Sequence, residues 1–314
     1  MNILRRHKTF SEGLPSFLVE KKIQLKHKSY LNYTGKAKVF IDWLTEKRLT
    51  RKPLHWFKNE VIRDFSIYLA SVKKLDRSSC YKYRDAIRCV WKFAKKLGEV
   101  KEIPFDFFVF PPKGKDRSAA LIPTEKIPVI LADILTHDFQ LFLALMLEYY
   151  CGARPGKEVR LIRVRNFSLS DGVVRIDSGE AKSARTRLIT MSDDLVSALI
   201  AYGIEDAGPD MYLFGPRRTF GTRPISENNF RYRFNKYREK HGLSEDVKVY
   251  SWKHIGASVL ISSKLMDIEE LRQHLGHTNI TATQKYVHRL VGAMSVQLRK
   301  GFPNPTVPGQ LVLG

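Results

Sequence analysis

Residues 271–288 read LRQHLGHTNITATQKYVH, and this stretch contains the most informative spacing in the chain. A Leu-Gly pair precedes His277, Thr283 follows six residues later, and Tyr286 follows three residues after that. A lone tyrosine is ordinarily a half-buried packing residue, because its ring is largely apolar. Tyr286 instead belongs to a wider set of basic and hydroxyl side chains that gather at sharp turns in the C-terminal 190 residues.

The other members of this set lie in three short segments. Arg154 lies in CGARPG, Lys182 lies in AKSAR, and both Tyr250 and Lys253 lie in YSWKH. The same region has no H-E-x-x-H, no G-x-S-x-G, no P-loop and no dense carboxylate cluster. These are the usual signatures of hydrolases and metal-dependent nucleases. The side chains that are present favour phosphoryl transfer without a metal ion, so we expect no metal and no other cofactor.

The 271–288 segment resembles the L-G-H-x-x-x-x-x-T-x-x-Y box of the tyrosine recombinase (phage integrase) family, and it matches at every spacing. The family also has an arginine in a G-x-R turn, which Arg154 satisfies, and a lysine in a β-hairpin, which Lys182 satisfies. The resemblance covers about residues 120–290. A weaker pattern, beginning at Tyr30 and Tyr33, is similar to the helical core-binding domain of the same family.

Three positions depart from the family pattern. The family usually has H-x-x-R ahead of the box, whereas here Tyr250 replaces the histidine and Lys253 replaces the arginine. The acidic residue normally found three positions after the first arginine is absent, because Lys157 stands there and Glu158 comes one position later. These variants resemble those of integrases from Bacteroidetes mobile elements.

The resemblance implies a catalytic set of six residues: Arg154, Lys182, Tyr250, Lys253, His277 and Tyr286. The tyrosine of the box would attack the scissile phosphate, giving a 3′-phosphotyrosine and a free 5′-hydroxyl without consuming ATP. The first arginine would bind the non-bridging oxygens, and the hairpin lysine would protonate the leaving 5′-oxygen.

The remaining members of the set would complete the phosphate site. Lys253 would supply a second cation, although an ammonium cannot reproduce the bidentate clamp of a guanidinium. His277 would donate a hydrogen bond to the same phosphate. Tyr250 could donate another where the family has histidine, but it could also simply pack. His254 is the other candidate for that role, or else a core histidine.

The charge distribution indicates a polyanionic partner. The chain has 54 basic and 32 acidic residues, a formal charge of +22, and residues 1–100 alone carry 24 basic against 9 acidic side chains, or +15. A dense positive field favours nucleic acid, because each neutralised phosphate releases counterions. The alternative is a solvated surface that only confers solubility. The candidate contacts to double-stranded DNA are Lys36, Lys82, Lys113, Lys115, Arg185 and Arg187.

The pattern along the chain predicts a mainly α protein with a small β-hairpin in two domains, and the family resemblance implies that the two domains form a C-shaped clamp. Helical spacing over residues 16–47, 58–72 and 78–97 predicts a basic bundle, with the last helix starting at the capping-type Ser78 and Ser79. Helices also begin at Thr124 and cover residues 139–151, and strands cover 172–176 and 187–191. The predicted division is a DNA-binding domain (1–103), a Pro-rich linker (104–123), a catalytic domain (124–290) and a C-terminal helix and tail (291–314).

Several expectations concern partners and location. No run of about 18 apolar residues is present, and neither a signal peptide nor a disulfide framework is indicated, so we expect a cytoplasmic, nucleoid-associated protein of prokaryotic or mobile-element origin. The tail either packs on its own domain or docks on a neighbouring protomer in a homo-tetramer on DNA.

The leading functional hypothesis is a site-specific DNA recombinase or integrase. A catalytically weak DNA-binding protein that kept the fold is the first alternative, because two family positions have changed. An RNA-binding helical protein without chemistry is the second, supported only by charge and aromatic residues.

Overall fold

A computed structural model of the chain describes residues 8–114, 119–177, 186–284 and 286. The chain forms two compact units, residues 1–116 and 117–314, and the boundary between them falls inside the segment predicted as a linker. The tail from residue 291 onward lies outside the described residues, as do Lys115, Lys182 and Arg185.

The first unit is a helical bundle built from α1 (Phe10–Gln24), α2 (His27–Glu46), α3 (Asn59–Ser71) and α4 (Arg77–Lys96). The sequence pattern predicted one helix over 16–47, whereas the structure has two, separated at Leu25 by extended backbone (φ −115°, ψ 146°). The break lets two apolar stripes share one core. The ring centroids of Phe10 and Phe40 lie 4.8 Å apart, although about 45 Å would separate them along one continuous helix.

The last helix of this unit starts at Arg77, one residue earlier than its serines suggested. Asp76 caps α4, because its side chain accepts a hydrogen bond from the backbone N–H of Ser79 at 2.8 Å. The helix then buries an apolar face that includes Trp91, whose indole N–H donates to the carbonyl of Leu54. Aromatic rings dominate the core of the unit: Phe10, Phe17, Phe40, Trp43, Phe57, Phe65, Trp91, Phe105 and Phe108.

Much of the predicted linker is packed rather than free. Phe105 and Phe108 are buried in the core of the first unit, and Phe110 stacks on Tyr81 of α4 with ring centroids 4.0 Å apart. At the other end of the segment, Ile122 is buried in the core of the second unit. Proline and the loss of helical period therefore indicated an irregular segment, but burial of apolar side chains fixes each of its ends in the adjoining unit.

The second unit contains six helices among the described residues and one small sheet. Its helices are α5 (Ile127–His137), α6 (Phe139–Cys151), α7 (Asp193–Ala201), α8 (Asn229–Lys240), α9 (Ser251–Ser262) and α10 (Ile268–His274). Its strands are β1 (Phe167–Ser168), β2 (Val173–Ile176) and β3 (Arg187–Thr190). The sheet is antiparallel in the order β1-β2-β3, with Val174 opposite Ile189. The pairing of β2 with β3 agrees with the predicted hairpin, and β1 had not been predicted.

The core of the second unit is centred on α6, which was predicted as a buried helix. Asp138 caps its N-terminus and also accepts hydrogen bonds from Arg233 of α8, which fixes one end of the helix. On its other side α6 packs against α9 at very short range. A Cβ on Gly256 of α9 would lie 1.9 Å from the carbonyl oxygen of Tyr149, so only glycine fits at this crossing. None of the described helices is long and apolar enough to cross a membrane.

Candidate active site

Arg154 is placed by the abrupt end of α6. The helix stops at Gly152, which adopts a left-handed conformation (φ +56°), and a Cβ there would lie 2.6 Å from a methyl carbon of Leu275. The backbone then runs extended through Arg154, whose side chain is 17% exposed. Both the left-handed turn and the close approach need glycine, so the G-x-R pattern has a direct structural cause.

A π-helical turn over Pro155–Val159 follows the arginine, and it supplies the acidic partner that the sequence pattern lacked. The N–H of Val159 donates to the carbonyl of Arg154, five residues back. This wider turn accommodates one extra residue and brings Glu158 beside Arg154. The buried carboxylate accepts hydrogen bonds from the backbone N–H of Arg154 at 3.0 Å and from its guanidinium.

Arg187, a candidate DNA contact in the sequence, lies on the other side of the same carboxylate. Its Nη2 is 2.5 Å from Glu158 Oε2, and its side chain is only 7% exposed. The guanidinium also lies against Gly276 of the L-G-H segment, where a Cβ would be 2.8 Å from its Nη1. Arg187 is therefore an interior residue that shares the Glu158 carboxylate with Arg154, and it is not a surface contact.

The charge of Glu158 is stabilised by this arrangement. Burial alone would raise the pKa of the carboxyl, but the hydrogen bond and charge of Arg187, together with the charges of Arg154 and Lys253, outweigh burial and lower the pKa. The carboxylate is therefore ionised at neutral pH and holds both guanidinium groups in place. Sequence reasoning missed this residue because it counted three positions from the arginine.

Tyr250 stands at the start of α9, within hydrogen-bonding reach of Arg154. Burial raises the pKa of its hydroxyl, the nearby carboxylates raise it further, and Arg154 opposes the change. The hydroxyl is therefore neutral at physiological pH and keeps a proton that it can donate. The hydroxyl therefore lies beside Arg154, at a position for which the sequence left open either donation to the phosphate or simple packing.

Lys253 is fully buried, unlike a side chain that meets DNA directly. Its Nζ donates to the carbonyl oxygen of Gly152 and, at 3.4 Å, to that of Leu275. Burial lowers its pKa well below the usual value, and the positive charge of Arg154 lowers it further. The side chain joins the C-terminal end of α6 to the end of α10, which places the two loops of the site side by side.

Glu148 of α6 is a second buried carboxyl near this lysine. Neither of its oxygens has a hydrogen-bond partner among the residues that the structure describes. Burial raises its pKa well above the usual value, although the charge of Lys253 opposes this. Burial therefore favours the neutral acid at this position, in contrast to Glu158, where the ionised form is favoured.

Tyr286 is fully buried and its hydroxyl is hydrogen-bonded to His254. The distance from the hydroxyl oxygen to Nδ1 of His254 is 2.9 Å. The His254 ring also makes an edge contact with the Tyr250 ring, with centroids 4.9 Å apart. Tyr286 packs in a small apolar cluster with Leu271 and Leu275, separate from the main core.

His277 is also buried, and its Nδ1 lies 2.9 Å from the hydroxyl oxygen of Thr283. This bond explains two of the fixed positions in the box, because the threonine orients the imidazole ring. A cleft of about 670 Å³ lies between β3 and α10, and Arg187, His274 and His277 line it. Burial lowers the pKa of His274 to about 4, with Lys253 adding to the effect, so this ring is neutral.

Of the candidate DNA contacts in the first unit, Lys36, Lys82 and Lys113 can be described. Lys36 on α2 lies 5.8 Å from the centre of the Tyr83 ring, and Lys82 of α4 is exposed nearby. Partial burial lowers the pKa of Lys36, and repulsion from the charge of Lys82 adds to this. Two cations on neighbouring helices are thus held close enough to repel each other. Lys113 is exposed in the irregular segment that follows.

The second unit therefore brings Arg154, Tyr250, His254 and Tyr286 into one connected group, with Glu158 beneath it. No cluster of three or more metal-ligating side chains occurs in the part of the chain that the structure describes. Arg154 can stabilise the charge that develops on phosphate oxygens. Tyr286, which is linked to it through Tyr250 and His254, has the hydroxyl that can attack a phosphodiester. The fold and the site define a class of enzymes that transfer a phosphodiester to tyrosine.

Comparison with known families gives the same class. Residues 122–291 match the Phage integrase family, and the chain belongs to this family. Among its relatives, a tyrosine recombinase of Pseudothermotoga lettingae is 25% identical over 259 residues, covering 82% of this chain and 85% of the relative. A tyrosine recombinase XerC of Natranaerobius thermophilus is 25% identical over 253 residues, covering 77% of this chain and 82% of the relative.

Solved structures share the fold. The Tn1549 transposon integrase in complex with transposon right end DNA superimposes with a TM-score of 0.74 at 14% identity, covering 93% of this chain and 99% of the integrase chain. A lambda integrase tetramer bound to a Holliday junction gives 0.72 at 17% identity, covering 90% of this chain and 78% of the other. The expected fold, mainly helical with a small antiparallel sheet in a two-domain recombinase, is confirmed.

Proposed function

We propose that the chain is a site-specific DNA recombinase that cleaves and rejoins strands through a 3′-phosphotyrosine. The observation that carries this proposal is the connected group of Arg154, Tyr250, His254 and Tyr286 in a member of the Phage integrase family. The relatives named tyrosine recombinase support the same conclusion.

In the proposed reaction, the Tyr286 hydroxyl oxygen attacks the phosphorus and the bond to the 5′-oxygen breaks. The leaving 5′-oxygen takes a proton from Lys182, which the family resemblance assigns to this step. Arg154, already oriented by Glu158, binds the non-bridging oxygens as their charge increases. The ester energy is kept in the phosphotyrosine, so a 5′-hydroxyl can reverse the step on a new strand without ATP.

The other predicted residues would act around this centre. Tyr250 and His277 donate hydrogen bonds to the phosphate, and Thr283 orients the histidine ring. Lys253 contributes through position, because it holds the carbonyls at Gly152 and Leu275 together rather than reaching the surface. This role explains how lysine can stand where the family usually has arginine.

Both units would contact the same DNA duplex, with the first unit as the basic DNA-binding domain. Lys36 and Lys82 support this part of the proposal, because their mutual repulsion is relieved when a phosphate binds between them. Assembly into a homo-tetramer through residues 291–314, and action at the nucleoid, belong to the same proposal. The tetramer seen for lambda integrase on a Holliday junction supports the first point.

Covalent capture tests the function and finds the unknown DNA site together. The full chain is incubated with a library of nicked duplexes that have randomised cores, and adducts stable to denaturant are recovered and sequenced. We expect a defined sequence linked through its 3′-phosphate to Tyr286. Tyr286→Phe should form no adduct while binding the recovered duplex as tightly as the parent chain. An adduct in that variant, or none in the parent chain, would contradict the proposal.

A further inference from the structure

His254 is the described residue that contacts the reacting atom of the proposed nucleophile. Its Nδ1 lies 2.9 Å from the hydroxyl oxygen of Tyr286, and the imidazole ring is 3% exposed. In the neutral ring a lone pair on Nδ1 can accept the hydroxyl proton. Tyr250 lies one helical turn earlier on the same face, and its ring makes an edge contact with the His254 ring. The Tyr250 hydroxyl lies near Arg154.

We propose that His254 is the general base of the cleavage step, taking the proton from the Tyr286 hydroxyl as that oxygen attacks the phosphorus. The inference rests on the proposed function. In the forward direction the Tyr286 oxygen–phosphorus bond forms, the phosphorus–5′-oxygen bond breaks, and the tyrosine proton moves to Nδ1. In the religation step the same nitrogen returns its proton to the departing tyrosine oxygen.

The position of His254 suits this role better than contact with the phosphate. Its hydrogen bond reaches the nucleophile itself, whereas Arg154 and Tyr250 form the side of the site that would face the phosphate oxygens. Ser258, one turn further along α9, donates to the His254 carbonyl at 2.8 Å. Water is excluded from the ring, so a proton released by tyrosine has a fixed acceptor rather than solvent.

The test measures single-turnover formation of the covalent adduct on the duplex recovered by capture, using the full chain. His254→Gln preserves a polar side chain but not an imidazole, and we expect the rate to fall by about 10²-fold, the lower end for loss of a general base. Ser262→Ala is the control on the same helix, because this exposed serine donates to the Val259 carbonyl and not to His254, and it should react at the parent rate. Duplex affinity and thermal unfolding of both variants show whether they fold and bind.

A second nucleophile separates proton transfer from a structural effect. Tyr286 is replaced by a ring-fluorinated tyrosine whose hydroxyl ionises near neutral pH, so that attack no longer needs a base. The proposal requires the penalty of His254→Gln to shrink to less than about tenfold with this nucleophile, because the base contribution is then dispensable. The same penalty with both nucleophiles would make His254 a packing residue and overturn the proposal.

Three further results would also overturn it. Faster cleavage in His254→Gln would show that the hydrogen bond restrains the tyrosine and must break before attack. Absence of any adduct from the parent chain would remove the proposed function and this inference together. If the parent chain reacts and His254→Gln reacts at the same rate, only this inference is contradicted and the proposed function stands.

Discussion

Replacing Glu158 with glutamine and replacing Glu148 with glutamine should change the stability of the second unit in opposite directions. Both carboxyl side chains are buried, at 1% and 0% exposure. The Glu158 carboxylate binds two guanidinium groups, whereas the Glu148 oxygens have no hydrogen-bond partner in the described part of the chain. At position 158 the substitution therefore removes a charge that stabilises the fold. At position 148 the same substitution removes an ionisable group whose charged form the fold disfavours.

Glu158→Gln should destabilise the unit by about 3 kcal/mol at pH 7. Removing one partner of a buried ion pair costs about 3–5 kcal/mol, because the other charge stays buried without compensation. Arg187 is left in that state at 7% exposure, while Arg154 at 17% retains some contact with water, which favours the lower end. The pKa of Glu158 is lowered in the folded chain, so its contribution is present above the unfolded-state pKa and disappears as the pH falls through the folded value.

Glu148→Gln should stabilise the unit at pH 7. Burial raises the pKa of Glu148 well above 4.5, so above that pH the folded chain holds a proton that the unfolded chain releases. The parent chain then loses about 1.4 kcal/mol of stability per pH unit until the folded-state pKa is reached. Glutamine has the shape of the protonated acid without this cost, so the advantage of the variant should grow with pH across that window.

Urea unfolding between pH 4 and pH 8 measures both effects on the full chain. Hydrogen exchange in peptides covering α6 and α9 reports the second unit independently of the first. Either of two results would refute the assigned charge states. One is a Glu158→Gln variant as stable as the parent chain at pH 7, and the other is a Glu148→Gln variant less stable than the parent chain at every pH.

Three further outcomes are expected. Lys253→Arg should lower the unfolding free energy by about 1–3 kcal/mol and slow single-turnover cleavage, because a longer planar group overpacks a fully buried position. A faster or equally stable variant would contradict this. Gly256→Ala should lower the unfolding free energy by about 3 kcal/mol or more, since its Cβ would overlap the Tyr149 carbonyl. Denaturant titration measures this, and an unchanged midpoint would refute the close packing. Joint replacement of Lys36 and Lys82 by alanine should reduce the slope of log affinity against log salt concentration by about 2. Fluorescence anisotropy measures this slope, and an unchanged slope would exclude both lysines from the DNA interface.

Much of the second unit could be predicted from the sequence, since its signals are local. The apolar run at 139–151 became α6, and the two β-rich segments paired as β2 and β3. The box at 271–288 indicated the family because its spacing reflects direct contacts, such as the bond between His277 and Thr283. Helical period and turn residues are sufficient for such features.

What the sequence did not reveal depends on backbone irregularity or on burial. The partner of Arg154 was missed because counting residues assumes an α-helical turn, and the chain forms a π turn that shifts Glu158 by one position. The break at Leu25 could not be predicted because the apolar period continues through it. Lys253 was expected at the phosphate, but periodicity does not show that a lysine at the start of a helix will point inward to backbone carbonyls.

The glycine crossing between α6 and α9 also bears on how such a site changes during evolution. At Gly256 the two helices touch backbone to backbone, so their separation does not depend on the size of any side chain there. One helix leads directly into Arg154, and the other carries Lys253 and His254. Functional groups in this chain can therefore differ from the family pattern, as they do at Tyr250 and Lys253, without a change in the spacing of the two helices. In this site that spacing is set by contact between two main chains and not by the functional side chains attached to them.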